Sequence, residues 1–204
     1  MHSQYFNKDG IEVPSVTTIL KAVNKPQLVQ WAHFMGTRHV DIDALLDDST
    51  FFGNCIHDYL EAYFNHGYYI PIEERLNMEN YKKAVNNFKW FMKDKTFETI
   101  MTETSMVNDS YGGTLDFYGI LDGKKLLIDF KTSKQVYPTY LLQLGGYYGL
   151  IKEQFDVEGA GILIVNVKKC MFYSITLEQL KMYNLIFDKL VDFYIHYTKI
   201  EKVD

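Results

Sequence analysis

Apolar positions in the first half of the chain recur at helical spacing, and from about Thr96 they begin to alternate. Ser15 stands directly before Val16-Thr17-Thr18-Ile19-Leu20, the place of a side chain that caps a short helix. A second helix is predicted from Gln27 to Met35. A third begins near Gly53, where Ile56, Leu60, Tyr63 and Phe64 make an apolar stripe, and a fourth carries Tyr81, Ala84, Val85, Phe88, Phe91 and Met92 on one face. Residues 98–107, 113–121 and 124–131 read as three strands. Helical periodicity returns from Tyr137 to Lys152, strands follow at 160–167 and 171–175, and a last helix has the seam Leu180, Tyr183, Phe187, Leu190, Tyr194 and Tyr197. The expected fold is α/β: a small mixed sheet with helices packed on it, preceded by a helical half. Residues 1–204 are expected to form a single domain, mainly helical over 1–95, with the α/β core over 96–204.

Asp122-Gly123, between two alternating segments, is a strong two-residue hairpin signal. With that loop, Leu121 pairs with Lys124, Asp116 falls opposite Asp129 and Thr114 opposite Lys131. Directly opposed residues hold their β-carbons about 4.5–5.5 Å apart. Asp129 and Lys131 then share one face, while Leu115, Phe117, Leu121, Leu126, Ile128 and Phe130 collect on the other as the core side. Two like charges across a ladder destabilise it unless something answers them. A hard divalent cation does so, since magnesium is commonly held by one or two carboxylates. The plainer alternative is a solvated ion pair of Asp129 with Lys131 or Lys125. Glu103, on the preceding strand, would extend the acidic site.

Composition narrows the choices. Of 204 residues, 47% are hydrophobic and 16% aromatic, which is ample for a core. Cys55 and Cys170 have no metal-type spacing, so neither a disulfide framework nor a cysteine-held cluster is expected. The first ten residues are polar and there is no apolar run of about 18, so no signal peptide and no membrane span are expected, and the cytoplasm is the expected compartment. The net charge of −5 argues against coating DNA by charge alone, but an enzyme that gathers carboxylates around metal ions can be acidic overall.

An ordered set of motifs carries a resemblance. Gly113-Thr114-Leu115-Asp116, then Ile128-Asp129-Phe130-Lys131-Thr132, then Gln143 and Tyr147, resembles the PD-(D/E)xK nuclease superfamily in its RecB-type branch. There the hallmark is G-x-x-D, a hairpin, D-x-K and then Q-x-x-x-Y on the next helix. Gly53-Asn54-Cys55-Ile56-His57 with Glu61 resembles the helical histidine motif of that branch. Pro14-Ser15-Val16-Thr17-Thr18-Ile19-Leu20 with the later Trp31 is similar to phage exonucleases and the mitochondrial genome maintenance exonuclease. Leu115 stands where the superfamily's name has proline, as is usual in this branch, and the cysteines of its iron–sulfur members are missing.

The resemblance implies a restriction-endonuclease-like core and a magnesium- or manganese-dependent deoxyribonuclease without an iron–sulfur cluster. It implies exonuclease action on DNA, at single-stranded or duplex ends, in repair, recombination or replication, within the host cytoplasm if the chain is phage-encoded. Asp116, Asp129 and Lys131 would be catalytic. His57, Asp116, Asp129 and the Phe130 backbone carbonyl would hold metal, and Lys131 would orient water and stabilise charge on the phosphate. Glu61, one turn after His57, either ligates through water, hydrogen-bonds His57, or is an ordinary solvated side chain. The alternative of another class is a catalytically silent DNA-binding or recombination-partner module that keeps the fold. No protein partner is indicated.

Gln143 and Tyr147 stand at i and i+4 on one helical face, apart from a core stripe of Leu141, Leu144, Tyr148 and Ile151; they either reach toward the active site and bind DNA, or Tyr147 simply packs with Gln143 exposed. Gly145, Gly146 and Gly149 each cost that helix up to about 1 kcal/mol against alanine, which signals close approach of the helix to the sheet or of its backbone to nucleic acid. Thr132, Ser133 and Lys134 either touch phosphates or form a polar loop. The tyrosines either stack bases in a single-strand channel or belong to the core.

Overall fold

The computed structural model describes residues 4–23, 26–39, 41–71 and 75–200. Its first elements are a hairpin of β1 (Tyr5–Phe6) and β2 (Glu12–Val13), followed by helices α1 (Val16–Leu20), α2 (Pro26–Gly36), α3 (Ile42–Phe64) and α4 (Met78–Met92). Ser15 caps α1 as expected, its Oγ accepting the Thr18 N–H at 3.0 Å. The hairpin was not anticipated; it presses the Tyr5 ring over Gly112, where a β-carbon would collide with it. Trp31 lies in α2, but its side chain falls outside the described residues. Residues 1–3 of the polar N-terminal stretch lie outside them as well.

α3 begins well before Gly53, the expected start. The Asp41 side chain accepts the Ala44 N–H at 3.0 Å and fixes the helix end there. Most residues from 41 to 50 are exposed, so the first turns carry no buried stripe that alternation or periodicity would reveal.

Five strands make one mixed sheet in the order β3 (Phe97–Val107), β4 (Gly112–Leu121), β5 (Lys124–Lys131), β6 (Gly159–Val165) and β7 (Cys170–Thr176). Every neighbouring pair is antiparallel except β5–β6, which is parallel. α5 (Pro138–Ile151) supplies the crossover that a parallel pair requires, and α6 (Leu177–Ile200) closes the chain. This is the α/β architecture expected, a mixed sheet flanked by helices. The Asp122-Gly123 turn has φ of 50° and 80°, the double positive φ of a type I′ hairpin, and Leu121 pairs with Lys124 as read from the sequence.

Helices cover both faces of the sheet, so there are two cores rather than one. Phe117, Leu121, Ile128 and Phe130 are buried against α3 and α4, with Phe64 stacked on Phe130 at a 5.6 Å ring separation. Leu126 packs at the margin of that cluster. Leu115, expected on the same side as Phe117, is instead buried in the opposite core with Tyr118 and Leu127, beneath α1, α5 and α6. The alternation of β4 therefore breaks at Asp116, between them. β3 carries a matching irregularity: Glu103, opposite this point, has a φ of 41°.

Gly145 and Gly146 of α5 serve helix–helix contacts, neither of the two roles the sequence suggested, while Gly149 meets the Tyr111 hydroxyl just before β4. A β-carbon on Gly145 would lie 2.5 Å from the Tyr183 backbone of α6, and one on Gly146 would lie 3.0 Å from the Phe187 ring. No helix among the described residues is long and apolar enough to cross a membrane.

Candidate functional site

The β4–β5 ladder runs from Leu121↔Lys124 to Phe117↔Ile128 and stops one pair short of Asp116. There the Asp116 carboxylate takes over: Oδ2 accepts the Phe130 N–H at 2.6 Å. Asp116 and Asp129 consequently do not form the backbone pair expected of them, because the strands part where β4 changes face. Asp129 is paired through its backbone with Ile162 of β6 and its side chain is fully buried.

Two elements bring further donors to Asp116. α3 presents His57, whose Nδ1 lies 3.8 Å from Asp116 Oδ1 and 3.9 Å from Glu103 Oε1. β3 presents Glu103, held between the paired couples Thr102↔Phe117 and Thr104↔Leu115. One ligand atom from each of His57, Glu103 and Asp116 lies within 4.8 Å of the other two. Behind them the Lys131 ammonium sits 2.6 Å from Asp129 Oδ2, with the Tyr140 ring 5.1 Å away. Both Asp129 oxygens are buried; Oδ2 has this ion pair, and Oδ1 has no partner among the described residues.

His57, Glu103 and Asp116, but not Asp129 or Lys131, border a cleft of about 530 Å³ lined also by Ser49, Thr50, Gly53, Asn54, Asp58, Glu61, Thr114 and Thr132. Glu61 and Thr132 thus join His57 and Asp116 at one place. Gln143 and Tyr147 do not line it. Gln143 donates to the Tyr147 hydroxyl at 2.7 Å, and Tyr147 is buried in the core with Leu144, Tyr148 and Ile151, so the two faces expected on α5 are not separate. The Phe130 group that meets Asp116 is its N–H. The loop after Lys131 is pinned by Asn166, which donates to the Ser133 carbonyl at 2.8 Å. Sequence reading missed Thr50, Asn54 and Asp58, although Thr50, Asn54, His57 and Glu61 make a polar stripe at helical spacing that would have shown them.

The electrostatics follow from carboxylates gathered under burial. Burial raises the Asp129 pKa; Lys131 opposes the shift and Asp116 adds to it. Burial lowers His57, but Asp116, Glu103 and Asp129 outweigh it and the net shift is upward. Lys131 is also raised, since Asp129 and Asp116 outweigh its burial, so it stays an ammonium. Burial, then Glu103 and Asp58, push Glu61 up. Burial followed by Asp116 and Asp129 holds the Tyr147 phenol well above its usual value. An imidazole nitrogen with carboxylate oxygens is a donor set of the kind that holds a divalent cation. Asp129 Oδ1 points the same way, because a buried carboxylate oxygen without a partner is costly.

The sequence matches no protein-family model and no curated protein. Among solved structures it is similar to SSO0001, at 18% identity and a TM-score of 0.31, over 52% of this chain. The chain spans 55% of that protein's length. It is also similar to the alkaline exonuclease LHK-Exo from Laribacter hongkongensis, at 9% identity and a TM-score of 0.34, over 72% of this chain and 82% of that one. LHK-Exo in complex with dAMP gives 10% identity and a TM-score of 0.33, over 72% and 83%.

Proposed function

We propose that the chain is a metal-dependent deoxyribonuclease that hydrolyses phosphodiester bonds in the cleft between α3 and the β3–β4–β5 edge. The supporting observation is the convergence of His57, Glu103 and Asp116 within 4.8 Å, beside a buried Asp129 that is paired with Lys131 through Oδ2 and has no partner at Oδ1 among the described residues. His57, Glu103, Asp116 and Asp129 would hold magnesium or manganese, and the cation supplies Lewis acidity and a nucleophile at neutral pH. Glu103, weakly indicated by sequence, enters this set on geometry.

The chain's own groups divide the remaining work. Asp116 uses Oδ2 to hold the Phe130 N–H, which leaves Oδ1 toward His57 and Glu103. Lys131, charged and held at Asp129, would orient the attacking water and meet charge on the phosphate. Thr132 and Thr114 offer hydroxyls on the cleft wall. Gln143 and Tyr147, a hydrogen-bonded pair with the Tyr147 ring packed at Gly113, would support β4 from beneath the cleft. We further assign residues 1–204 to one unit and the action to DNA ends, preferably single-stranded.

End-labelled single- and double-stranded DNA, with manganese, magnesium or EDTA, tests this. Metal-dependent release of nucleotides, abolished in Lys131→Ala and Asp116→Asn, is expected. Wild-type protein inert on linear and circular DNA in every metal would leave only the silent binding module.

A further inference from the structure

On the other side of α3 from the cleft lies a second concavity of about 340 Å³, lined by Tyr59, Tyr63, Tyr68, Tyr69 and Tyr81 with Ala62, Gly67, Val85 and Lys89. Pockets for small ligands run from about 300 to 1,000 Å³, so this one accommodates a single flat group. The sequence singled out its tyrosines as a group with two readings, core or base stacking, and here both apply. Tyr59 and Tyr63 are backed by Phe88 at ring separations of 6.0 and 4.8 Å, in edge-to-face contact, which fixes their planes. Tyr68, in contrast, is 87% exposed. An aromatic so exposed gains nothing from the fold.

Local charge favours an anion beside that group. Lys89 lines the pocket, Lys82 stands on the same helix and Lys93 is its C-cap residue. Trp90, next to Lys89, is 80% exposed. Exposed aromatics interleaved with lysines, on a protein of net charge −5, are the pattern of a surface that stacks bases and tracks phosphates.

The pocket is tied to the cleft. Tyr69 donates its hydroxyl to Asp58 Oδ2 at 3.2 Å, and Asp58 is itself a cleft residue. α3 is thus the wall between the two, with His57 and Glu61 turned to one side and Tyr59 and Tyr63 to the other. A helix is about 10–12 Å across, a distance that a few nucleotides span. Resting on the nuclease reading, we propose that the tyrosine pocket holds an unpaired nucleobase of the strand whose phosphodiester lies in the cleft, with Lys89 on its phosphate. A base within a duplex cannot enter a concave pocket of this size, so the occupant is single-stranded nucleic acid.

Fluorescence anisotropy of a short labelled oligothymidine with Lys131→Ala protein in manganese tests the proposal. The comparison is with the same protein carrying Tyr68→Ser and Lys89→Gln, both exposed positions that leave the core intact. Stacking of one base is worth about 1–3 kcal/mol, so the dissociation constant is expected to rise about fivefold or more. A series of oligonucleotides with one abasic position should show a site where the missing base weakens the parent and no longer affects the pocket variant. Equal affinity of parent and variant, no sensitive position, or tighter binding of duplex than of single strand would each overturn the pocket, as would failure to bind any oligonucleotide. Metal-dependent cleavage by wild type is scored separately, so loss of the pocket and loss of the nuclease reading are distinguishable.

Discussion

The Asp116 carboxylate accepts the Phe130 backbone N–H at 2.6 Å, standing in for the rung at which the β4–β5 ladder ends. A side chain doing the work of a backbone carbonyl ties the candidate ligand to the fold. Substitutions at Asp116 should therefore separate two roles. Asn keeps an acceptor for Phe130 but removes the charge, whereas Ala leaves a buried N–H unpaired at a cost of about 1–3 kcal/mol. In EDTA, urea unfolding is expected to rank Asp116→Asn above Asp116→Ala by that amount, while both lose nuclease activity. Equal stabilities would mean that the Phe130 contact contributes nothing.

Metal binding should show as stability. A ligand at about one hundred times its dissociation constant adds about 2.7 kcal/mol, and for a chain of this size each kcal/mol moves Tm by about 2–4 °C. Saturating manganese is thus expected to raise Tm by roughly 5–10 °C over EDTA. The same addition to Asp116→Asn should move it by no more than a degree or so, because Oδ1 no longer brings a charge to His57 and Glu103. A wild-type scan unchanged by manganese and by magnesium would remove the metal from the proposal.

What the sequence made legible was whatever depends on local pattern. The Asp122-Gly123 turn set the register because both residues accept positive φ, and the alternation around it had no competing phase. The start of α3 was hidden because its early turns bury nothing. The place of Leu115 was hidden for a different reason: period-2 reasoning assumes an unbroken strand, and β4 breaks at Asp116. Asp129, whose plainer reading was a solvated ion pair, is fully buried, since helices on both faces cover the central strands. Glu103 gave almost no signal, because its role depends on a bend that no propensity records.

The α5–α6 contact predicts intolerance at Gly145. Alanine there gains up to about 1 kcal/mol of helix propensity. Its β-carbon would sit 2.5 Å from the Tyr183 backbone, and backbone cannot rotate away. Overpacking of that kind costs about 1–3 kcal/mol. Gly145→Ala is expected to lower stability in urea while leaving metal-dependent cleavage intact at low temperature. A variant as stable as wild type would show that the two helices are further apart.

Cys170 offers a pH test remote from the site. The thiol is half-buried, and that partial burial pushes it up to about 12. A raised folded value means that the thiol's contribution to stability is complete below its unfolded pKa of about 8.5 and declines above it. Thiolate is the reactive form, so at pH 8 a disulfide reagent is expected to label Cys170 slowly in the native protein and at once in denaturant. Rapid native labelling, mapped by digestion, would contradict the burial.

Glu103 has a φ of 41° within a strand, where an L side chain is strained. The position is worth that strain only if the carboxylate does something there, and it lies 3.9 Å from His57 in the candidate ligand cluster. Glu103→Gln removes the charge and keeps the strain. Glu103→Gly removes the charge and relieves the strain, which costs about 1–3 kcal/mol at such positions, against about 0.5–1 kcal/mol of added backbone entropy. In EDTA the glycine variant is therefore expected to exceed the glutamine variant by about 1 kcal/mol. Both should show a weaker manganese-induced rise in Tm than wild type. Gly below Gln in EDTA would mean that the bend is set by the strand and not by the need to place Glu103. A full manganese response in both would take Glu103 out of the ligand set and leave His57, Asp116 and Asp129 to hold the cation.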